Sequence, residues 1–284
     1  MSKNPFFSVI IPTLNEEDYL PKILADFAKQ KEKNFEIIIV DAASEDKTKE
    51  RALKFSKFFP LEFYSIEKKN VAHQRNYGAK MAKGEYLIFL DADARVESGF
   101  TKNIYADIVQ KKQKKGLLFL PVLTTDTTLN RNKVLFKLIN SVVELSQSLN
   151  RPLAPGGSIF ISKDLFFDID GFNEKLYMSE DHDLVQRARI FGVKAKILKN
   201  TKVVFSLRRV EKEGQAVVLY KYFLALVYML INEKVTSKTF MYEMGGDKYK
   251  NLKIKEKKVV FKTEMTSLRG LIKKTSNFLA ESLS

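Results

Sequence analysis

The chain has 284 residues, 45% of them hydrophobic, which is enough for a sizeable core in one large domain or in a domain with an appendage. It contains no cysteine, which excludes disulfides and thiolate metal sites and fits a reducing, cytoplasmic compartment. Its formal charge of +15, from 49 Lys and Arg against 34 Asp and Glu, favours nucleic acid, anionic lipid or phosphorylated small molecules as partners, unless it only reflects a lysine-rich source.

The opening MSKNPFFSVIIPT has too short an apolar stretch for a signal peptide, and no small-residue cleavage site follows. "FFSVII" (6–11) is a continuous β-rich run and predicts a strand covered on both faces. After Pro12 a helix is expected from about Glu16, with Asn15 as N-cap, acids in its first turn and an apolar stripe of Tyr19, Leu20, Ile23, Leu24 and Phe27. The unit then repeats. "FEIIIV" (35–40) predicts a strand ending in Asp41, Ser44 a cap for a helix to about Phe58, and "LEFYSI" (61–66) a third strand. "HQRNYGAKMAK" (73–83) reads as a helix and "EYLIFL" (85–90) as a fourth strand ending in Asp91. Strand and helix alternating at this pitch predict an α/β fold: a Rossmann-like, mostly parallel sheet flanked by helices.

The second half is less regular. Strands are expected at 116–123, 157–162, 195–199 and 202–207, and helices at 134–149 and 179–192, the last capped by Ser179 and closed by Gly192. A break in character near residue 210 divides a domain at 1–210 from a basic, helical extension at 211–284. Ala216–Ile231 is a 16-residue apolar-rich run containing Lys221, shorter than the roughly 20 residues a spanning helix needs. Residues 248–262 hold seven lysines and one acid, and 264–280 read as a basic amphipathic helix. This pattern suits docking on the cytoplasmic face of a membrane; a packed extension with a solvated face is the alternative.

Ligands of open parallel sheets bind beyond the carboxyl ends of the strands. Three such ends carry polar residues: Thr13 to Glu17, Asp41, and Asp91 to Asp93. Asp91 and Asp93 flank the small Ala92, so in an extended turn both carboxylates point the same way. Two adjacent carboxylates repel unless a cation sits between them, and Mn²⁺ or Mg²⁺ takes oxygen ligands while keeping positions for phosphates. Taken alone, the triplet is better explained by a turn with an Asx cap.

Five strings occur in order: "SVIIPTLNEEDYL", "FEIIIVDAASEDKT", "VAHQRNYGAKMAKGEYLIFLDADA", "GGSIFISKDLFFDIDGFNE" and "SEDHDL". Together they resemble the family 2 glycosyltransferases, with the GT-A nucleotide-diphospho-sugar transferase fold, over roughly residues 6–209. The resemblance implies a metal-dependent, inverting transfer of a sugar from a UDP- or GDP-sugar to a glycan or a polyprenyl- or other lipid-linked acceptor, as in cell-envelope polysaccharide synthesis. It implies that Pro12, Thr13, Asn15 and Glu16 line the nucleoside pocket and that Asp41 hydrogen-bonds the base. Arg75 would face the base or diphosphate. Asp91 would contact ribose or a metal-bound water, and Asp93 would ligate Mn²⁺ or Mg²⁺. Asp181 would be the catalytic base, with Glu180 the alternate.

Simpler readings stand beside these. Arg75 also fits a surface helix position, and Glu180 and Asp181 fit favourable helix-dipole placement. His182 is expected as a polar first-turn residue, and His73 has no special spacing. Arg208 and Arg209 either clamp the diphosphate or form a basic hinge. Gly156 and Gly157 either let the backbone approach the sugar or belong to an ordinary loop. There is no Gln-x-x-Arg-Trp string and no tryptophan, which argues against a processive synthase. A sugar-phosphate nucleotidyltransferase would want a glycine-rich basic loop where "PTLNEEDYL" stands. A nucleic-acid binder would have its partner repelled by the acidic rim. A non-catalytic membrane protein would not need both acids of the triplet.

Overall fold

The computed structural model describes residues 4–110, 118–125, 130–149, 151–176 and 179–206. All of them belong to one of the two units into which the chain divides. The apolar-rich run at 216–231, the helix expected at 264–280, the extension at 211–284, and Arg208 and Arg209 lie outside the described residues.

Among the described residues eight strands form one sheet: β1 (Phe7–Thr13), β2 (Phe35–Asp41), β3 (Leu61–Ser65), β4 (Tyr86–Leu90), β5 (Arg95–Val96), β6 (Leu118–Thr124), β7 (Ser158–Ser162) and β8 (Lys196–Val204). Their order is β3-β2-β1-β4-β7-β6-β8-β5. β3, β2, β1 and β4 are parallel neighbours, and β6 and β8 run parallel to each other. β7 is antiparallel to both β4 and β6, and the short β5 is antiparallel to β8. The carboxyl ends of β1, β2 and β4 therefore share one rim, where Thr13 pairs with Asp41. The start of β7 joins that rim, because Leu90 pairs with Ser158.

Among the described residues seven helices cover the sheet: α1 (Leu20–Ala28), α2 (Thr48–Leu53), α3 (Val71–Met81), α4 (Phe100–Gln110), α5 (Asn130–Ser146), α6 (Lys163–Asp168) and α7 (Glu180–Ile190). All seven residues of β1 and of β2 are buried, as the β-rich run at 6–11 predicts for β1, and the polar Ser8 and Glu36 within them bond to each other (2.7 Å). One layer packs Ala72 and Ala79 of α3, Phe166 of α6 and Leu184 of α7 against Ile10, Ile38 and Phe89. On the other, Phe27 of α1 packs at a tilt on Phe35 and edge-on against Phe100, and Phe100 meets Phe160 edge-on. Each fully buried ring or branched chain contributes about 1.5–3 kcal/mol. Gly78 sets how close α3 lies, since a Cβ there would stand 2.5 Å from Ile10 Cγ2.

Several element ends differ from expectation. Helix α1 starts at Leu20 rather than Glu16, and Asn15 is not its cap: Asn15 sits in the left-handed region at φ 54°. The acids between them form a turn, and their backbone donors bond to the loop after β2 instead of seeding a helix. Ser44 does not cap α2, because its hydroxyl is spent on Asp41, and α2 runs only from Thr48 to Leu53. Helix α3 starts two residues earlier than expected, capped by Asn70, whose side chain accepts from His73 N at 2.8 Å. Ser179 occupies the N-cap position of α7 in a left-handed conformation at φ 69° and makes no side-chain cap bond. Helix α4 has no sequence counterpart above. Residues 196–204 are one strand with a register shift near Pro121 and Val122 rather than two strands. Among the described residues no helix is long and apolar enough to cross a membrane.

Candidate active site

The rim is built from two interlocked loops and one buried cation. After β1, Asn15 N donates to Ser44 Oγ (2.7 Å), and Asn15 Oδ1 accepts from Glu45 N (2.8 Å). Glu16 N donates to Thr48 Oγ1 (2.8 Å) and Glu17 N to Asp46 Oδ2 (3.1 Å). Asparagine tolerates the left-handed conformation this turn demands. Asp41 is buried and accepts from Thr13 Oγ1 (2.9 Å), Ser44 Oγ (2.5 Å) and Ser44 N (2.8 Å). Three of a carboxylate's roughly four acceptor positions are thus used within the protein. Gln74 of α3 donates to Thr13 O (2.9 Å) and Val40 O (2.7 Å), holding β1 and β2 together at their ends. Pro12 and Thr13 at the end of β1 and Glu16 in the loop after it are buried, and Asn15 is half-buried.

Past β4 the burial alternates. Asp91 and Asp93 are half-buried, whereas Ala92 and Ala94 are 4% and 5% exposed. The two carboxylates therefore belong to the solvent side of the same turn, which a bond from Ala94 N to Asp91 O closes. Gly157, at φ 73°, lies against Asp91: a Cβ there would be 2.2 Å from Asp91 Oδ2. Glycine is required at this point both by the backbone angle and by the neighbouring carboxylate.

Arg75 joins the two halves of the site. Its guanidinium is buried beneath the rim, with Nη2 donating to Asp91 Oδ1 (2.9 Å) and Nη1 to Glu180 Oε1 (2.9 Å) and Asp181 Oδ1 (3.0 Å). It also lies 5.2 Å from the Phe172 ring centroid. Nε is buried with no partner. Burial alone would lower the Arg75 pKa, but Asp181, Asp91 and Glu180 outweigh it and hold the group above its ordinary value. Asp181 completes its contacts by accepting from Gly157 N at 2.9 Å.

The three acids are unequal. Burial, reinforced by Asp181 and opposed by Arg75, pushes Glu180 up to about 7. Near neutral pH Glu180 is therefore only partly ionised, which relieves some of the excess negative charge around one guanidinium. His182 is held below its ordinary value by burial, and its Nδ1 accepts from Ala154 N (3.2 Å), so it is a neutral structural partner of the 154–157 loop.

Asn76, Phe172 and Glu174 are parts of the site's frame to which the sequence assigned no individual role. Asn76 Oδ1 accepts from Phe172 N (2.8 Å), and its Nδ2 donates to Phe172 O (2.8 Å) and Glu174 Oε1 (3.1 Å). Glu174 also receives Lys68 Nζ (2.5 Å) and contacts His73 Nδ1 (2.9 Å). Although burial would raise it, those donors bring Glu174 down to about 2. The "DGF" at 170–172 was the available signal, since Asp170 and Gly171 both take positive φ to turn Phe172 under Arg75.

A cation test follows from the donor set. Asp91 and Asp93 are hard oxygen donors on the solvent side of one turn, which fits Mg²⁺ or Mn²⁺ held by one or two carboxylates and completed by phosphates. No group of three or more acid or histidine side chains is arranged to hold a metal among the described residues. Of these oxygens, Asp91 Oδ1 already accepts from Arg75 Nη2.

The comparisons agree with this architecture. Residues 8–166, more than half of the chain, match the model of "Glycosyl transferase family 2". A Methanococcus voltae protein named dolichyl N-acetyl-alpha-D-glucosaminyl phosphate 3-beta-D-2,3-diacetamido-2,3-dideoxy-beta-D-glucuronosyltransferase is 31% identical over 193 residues, covering 65% of this chain and 56% of that one. The minor teichoic acid biosynthesis protein GgaB of Bacillus subtilis is 28% identical over 189 residues, 65% of this chain and 21% of that one. The chain thus spans about half, or less, of the length of these relatives. In structure it is similar to Staphylococcus aureus TarS 1-349, with a TM-score of 0.58 at 25% identity over 71% of this chain and 61% of that one. It is also similar to the Pyrobaculum calidifontis mannosyltransferase PcManGT in complex with GDP-Man and Mn²⁺, with a TM-score of 0.59 at 18% identity over 80% and 65%. The α/β architecture is thus the GT-A one. The strand ends, the acidic turn and the matched span lead to one conclusion: this chain belongs to glycosyl transferase family 2.

Proposed function

We propose that the chain is an inverting, metal-dependent glycosyltransferase. It takes a sugar from a UDP- or GDP-sugar and transfers it to a hydroxyl or phosphate of a glycan or lipid-linked acceptor in cell-envelope polysaccharide synthesis. The observation that carries this reading is the single guanidinium of Arg75 bound to Asp91, Glu180 and Asp181 at the rim where three strands end. It fixes an acid for the leaving-group side and an acid for the acceptor side in one rigid unit.

The interlocked loops after β1 and β2 form the floor for the nucleoside. Asp93, with Asp91 beside it, would hold Mn²⁺ or Mg²⁺, which when bound supplies positive charge for the departing diphosphate. Asp181, oriented by Arg75 and by Gly157 N, accepts the proton from the acceptor hydroxyl. Attack on the anomeric carbon from the face opposite the diphosphate inverts it. Glycine at 156 and 157 keeps side chains out of the space beside Asp181 and Asp91. Donor-bound neighbours such as PcManGT with GDP-Man support a nucleotide-sugar donor, and the M. voltae relative's name supports a lipid-linked acceptor. Residues 211–284, with their apolar run and lysine-rich stretch, are assigned to peripheral membrane attachment.

The test is thermal stabilisation by a panel of nucleoside diphosphates with and without Mn²⁺. A Mn²⁺-dependent shift with UDP or GDP, removed by Asp93→Ala, is expected. A panel without any shift would overturn the assignment, and release of pyrophosphate from a nucleoside triphosphate and a sugar phosphate would replace it with a nucleotidyltransferase.

A further inference from the structure

Helix α5 is buried on one side and apolar on the other. Its inward residues Phe136 and Val143 are 5% and 7% exposed. Val134, Leu138, Val142, Leu145 and, just past the helix, Leu149 are between 41% and 73% exposed. At 3.6 residues per turn these five fall within an arc of about 80°, opposite or nearly opposite the buried side. The helical part, Val134 to Leu145, is about 17 Å long. Single exposed leucines are ordinary, but a continuous stripe on one helix marks a contact surface.

Charge decides what fits it. Lys133 and Lys137 are exposed along one flank of the stripe. The acid on that flank, Glu144, is paired with Lys199 Nζ at 3.0 Å. An apolar stripe edged by lysines matches an anionic lipid surface, with the leucines entering the acyl boundary and the lysine ammoniums reaching the headgroups. A second copy of the chain fits worse, because each copy carries a formal +15 and would bring lysines against lysines.

The stripe is also tied to the catalytic rim. Ser146 Oγ, at the end of α5, accepts from Leu153 N (2.9 Å), and Gln147 Nε2 donates to Leu153 O (2.7 Å). The next residue, Ala154, donates its N–H to His182, the neighbour of Asp181 (3.2 Å). Three residues beyond that, Gly157 donates to Asp181 itself. The end of the stripe that carries Leu145 and Leu149 is thus anchored to the loop that positions the acceptor-side acid.

We propose that the outer face of α5 docks on an anionic membrane surface and presents the Asp181 side of the active site to an acceptor carried in that membrane. This deepens the lipid-linked acceptor reading above and rests on it. Leucines along the stripe supply the insertion, Lys133 and Lys137 select anionic over neutral lipid, and the Ser146–Leu153–Ala154 connection fixes the orientation of the site.

The experiment is co-sedimentation of the whole chain with phosphatidylcholine vesicles, with and without phosphatidylglycerol, for the unaltered protein, Leu138→Glu/Leu145→Glu and Lys133→Glu/Lys137→Glu. Melting temperature, sizing and the UDP/Mn²⁺ thermal shift are measured alongside. The expected results are binding to the anionic vesicles only, a loss of at least tenfold in partition for each double variant, and an unchanged melting temperature and UDP/Mn²⁺ shift. The unchanged nucleotide response separates this surface from the donor site: if the UDP/Mn²⁺ shift is missing in every protein, it is the enzymatic reading that has failed. The docking proposal is overturned if the unaltered protein ignores anionic vesicles or if Leu138→Glu/Leu145→Glu binds them undiminished. It is equally overturned if that variant changes the oligomeric size, which assigns the stripe to a second copy. A large fall in melting temperature without loss of vesicle binding also overturns it, because the stripe would then be covered by the chain's own residues.

Discussion

Arg75 and Asp181 are 106 residues apart in the chain, yet one guanidinium nitrogen reaches the Asp181 carboxylate at 3.0 Å from a side chain that is almost wholly buried. The same nitrogen holds Glu180, and its twin holds Asp91. The acid proposed to serve the acceptor and the acid that heads the "DADA" turn are therefore both bonded to one guanidinium.

Removing that cation leaves three carboxylates facing one another. Arg75→Ala is expected to cost about 3–5 kcal/mol, the range for breaking a buried ion pair from one side. Arg75→Lys should recover only part of it, since a single ammonium cannot make the fork of three bonds. Denaturant unfolding of both variants checks this, and a loss below about 1 kcal/mol for Arg75→Ala would show that the network contributes little.

Asp181→Asn keeps the size of the side chain and an acceptor for Gly157 N but removes the proton acceptor. Turnover should fall by about 10²–10⁴-fold while nucleotide affinity is unchanged. Steady-state rates with a membrane-extracted or synthetic acceptor, beside UDP titration, measure both. Near-normal turnover would transfer the role of base to another group.

Gly157→Ala addresses the contact between β7 and β4. The new methyl would fall 2.2 Å from Asp91 Oδ2, in a backbone conformation at φ 73° that costs an L-residue roughly 1–2 kcal/mol. Asp91 must then swing off Arg75. Loss of activity with a lowered melting point is the expected result. Gly156→Ala, whose Cβ would come no nearer than 4.0 Å to Asp181 Oδ2, should be far milder, and equal damage at both positions would contradict the packing described here.

Acidity should act on two carboxylates in opposite directions. Glu180 is raised to about 7, so between roughly pH 4 and pH 7 the folded metal-free protein keeps a proton that the unfolded chain has released. Its contribution to stability therefore shrinks as pH rises through that window. Glu174 is lowered to about 2, so its contribution is present above roughly pH 4 and is lost as pH falls toward 2. Melting temperatures in the presence of EDTA should show Glu180→Gln flattening the upper window alone and Glu174→Gln the lower one alone. An unaltered upper slope in Glu180→Gln would place the proton elsewhere.

Much of the frame was legible from residues near one another in the chain. Continuous β-rich runs such as "FFSVII" specify strands buried on both faces, and their alternation with helical stripes specifies a parallel sheet. That arrangement alone puts Asp41 and Asp91 on one rim, because parallel neighbours end on the same side. The alternation of acid and alanine in "DADA" gave the shared face of Asp91 and Asp93, which the burial of Ala92 and Ala94 matches. Local signals misled where a side chain had a distant partner. Asn15, Ser44 and Ser179 all read as helix caps, but Asn15 and Ser44 are spent on each other's loops and Ser179 turns left-handed.

What tertiary structure alone decided is the company each charged group keeps. Periodicity could place Arg75 on a helix but could not say whether that helix face meets water, a phosphate or three carboxylates. The answer depends on α3 lying close over β1, which Gly78 permits, and on α7 arriving at the same rim. Likewise the contact between Gly157 and Asp91 exists only because β7 pairs antiparallel with β4 across nearly seventy residues of chain. Strand and helix identity follow from interactions within a few residues, which the sequence displays directly. Ion pairing and steric fit at the rim follow from packing between elements far apart in sequence, and there the geometry of the folded chain is the deciding term.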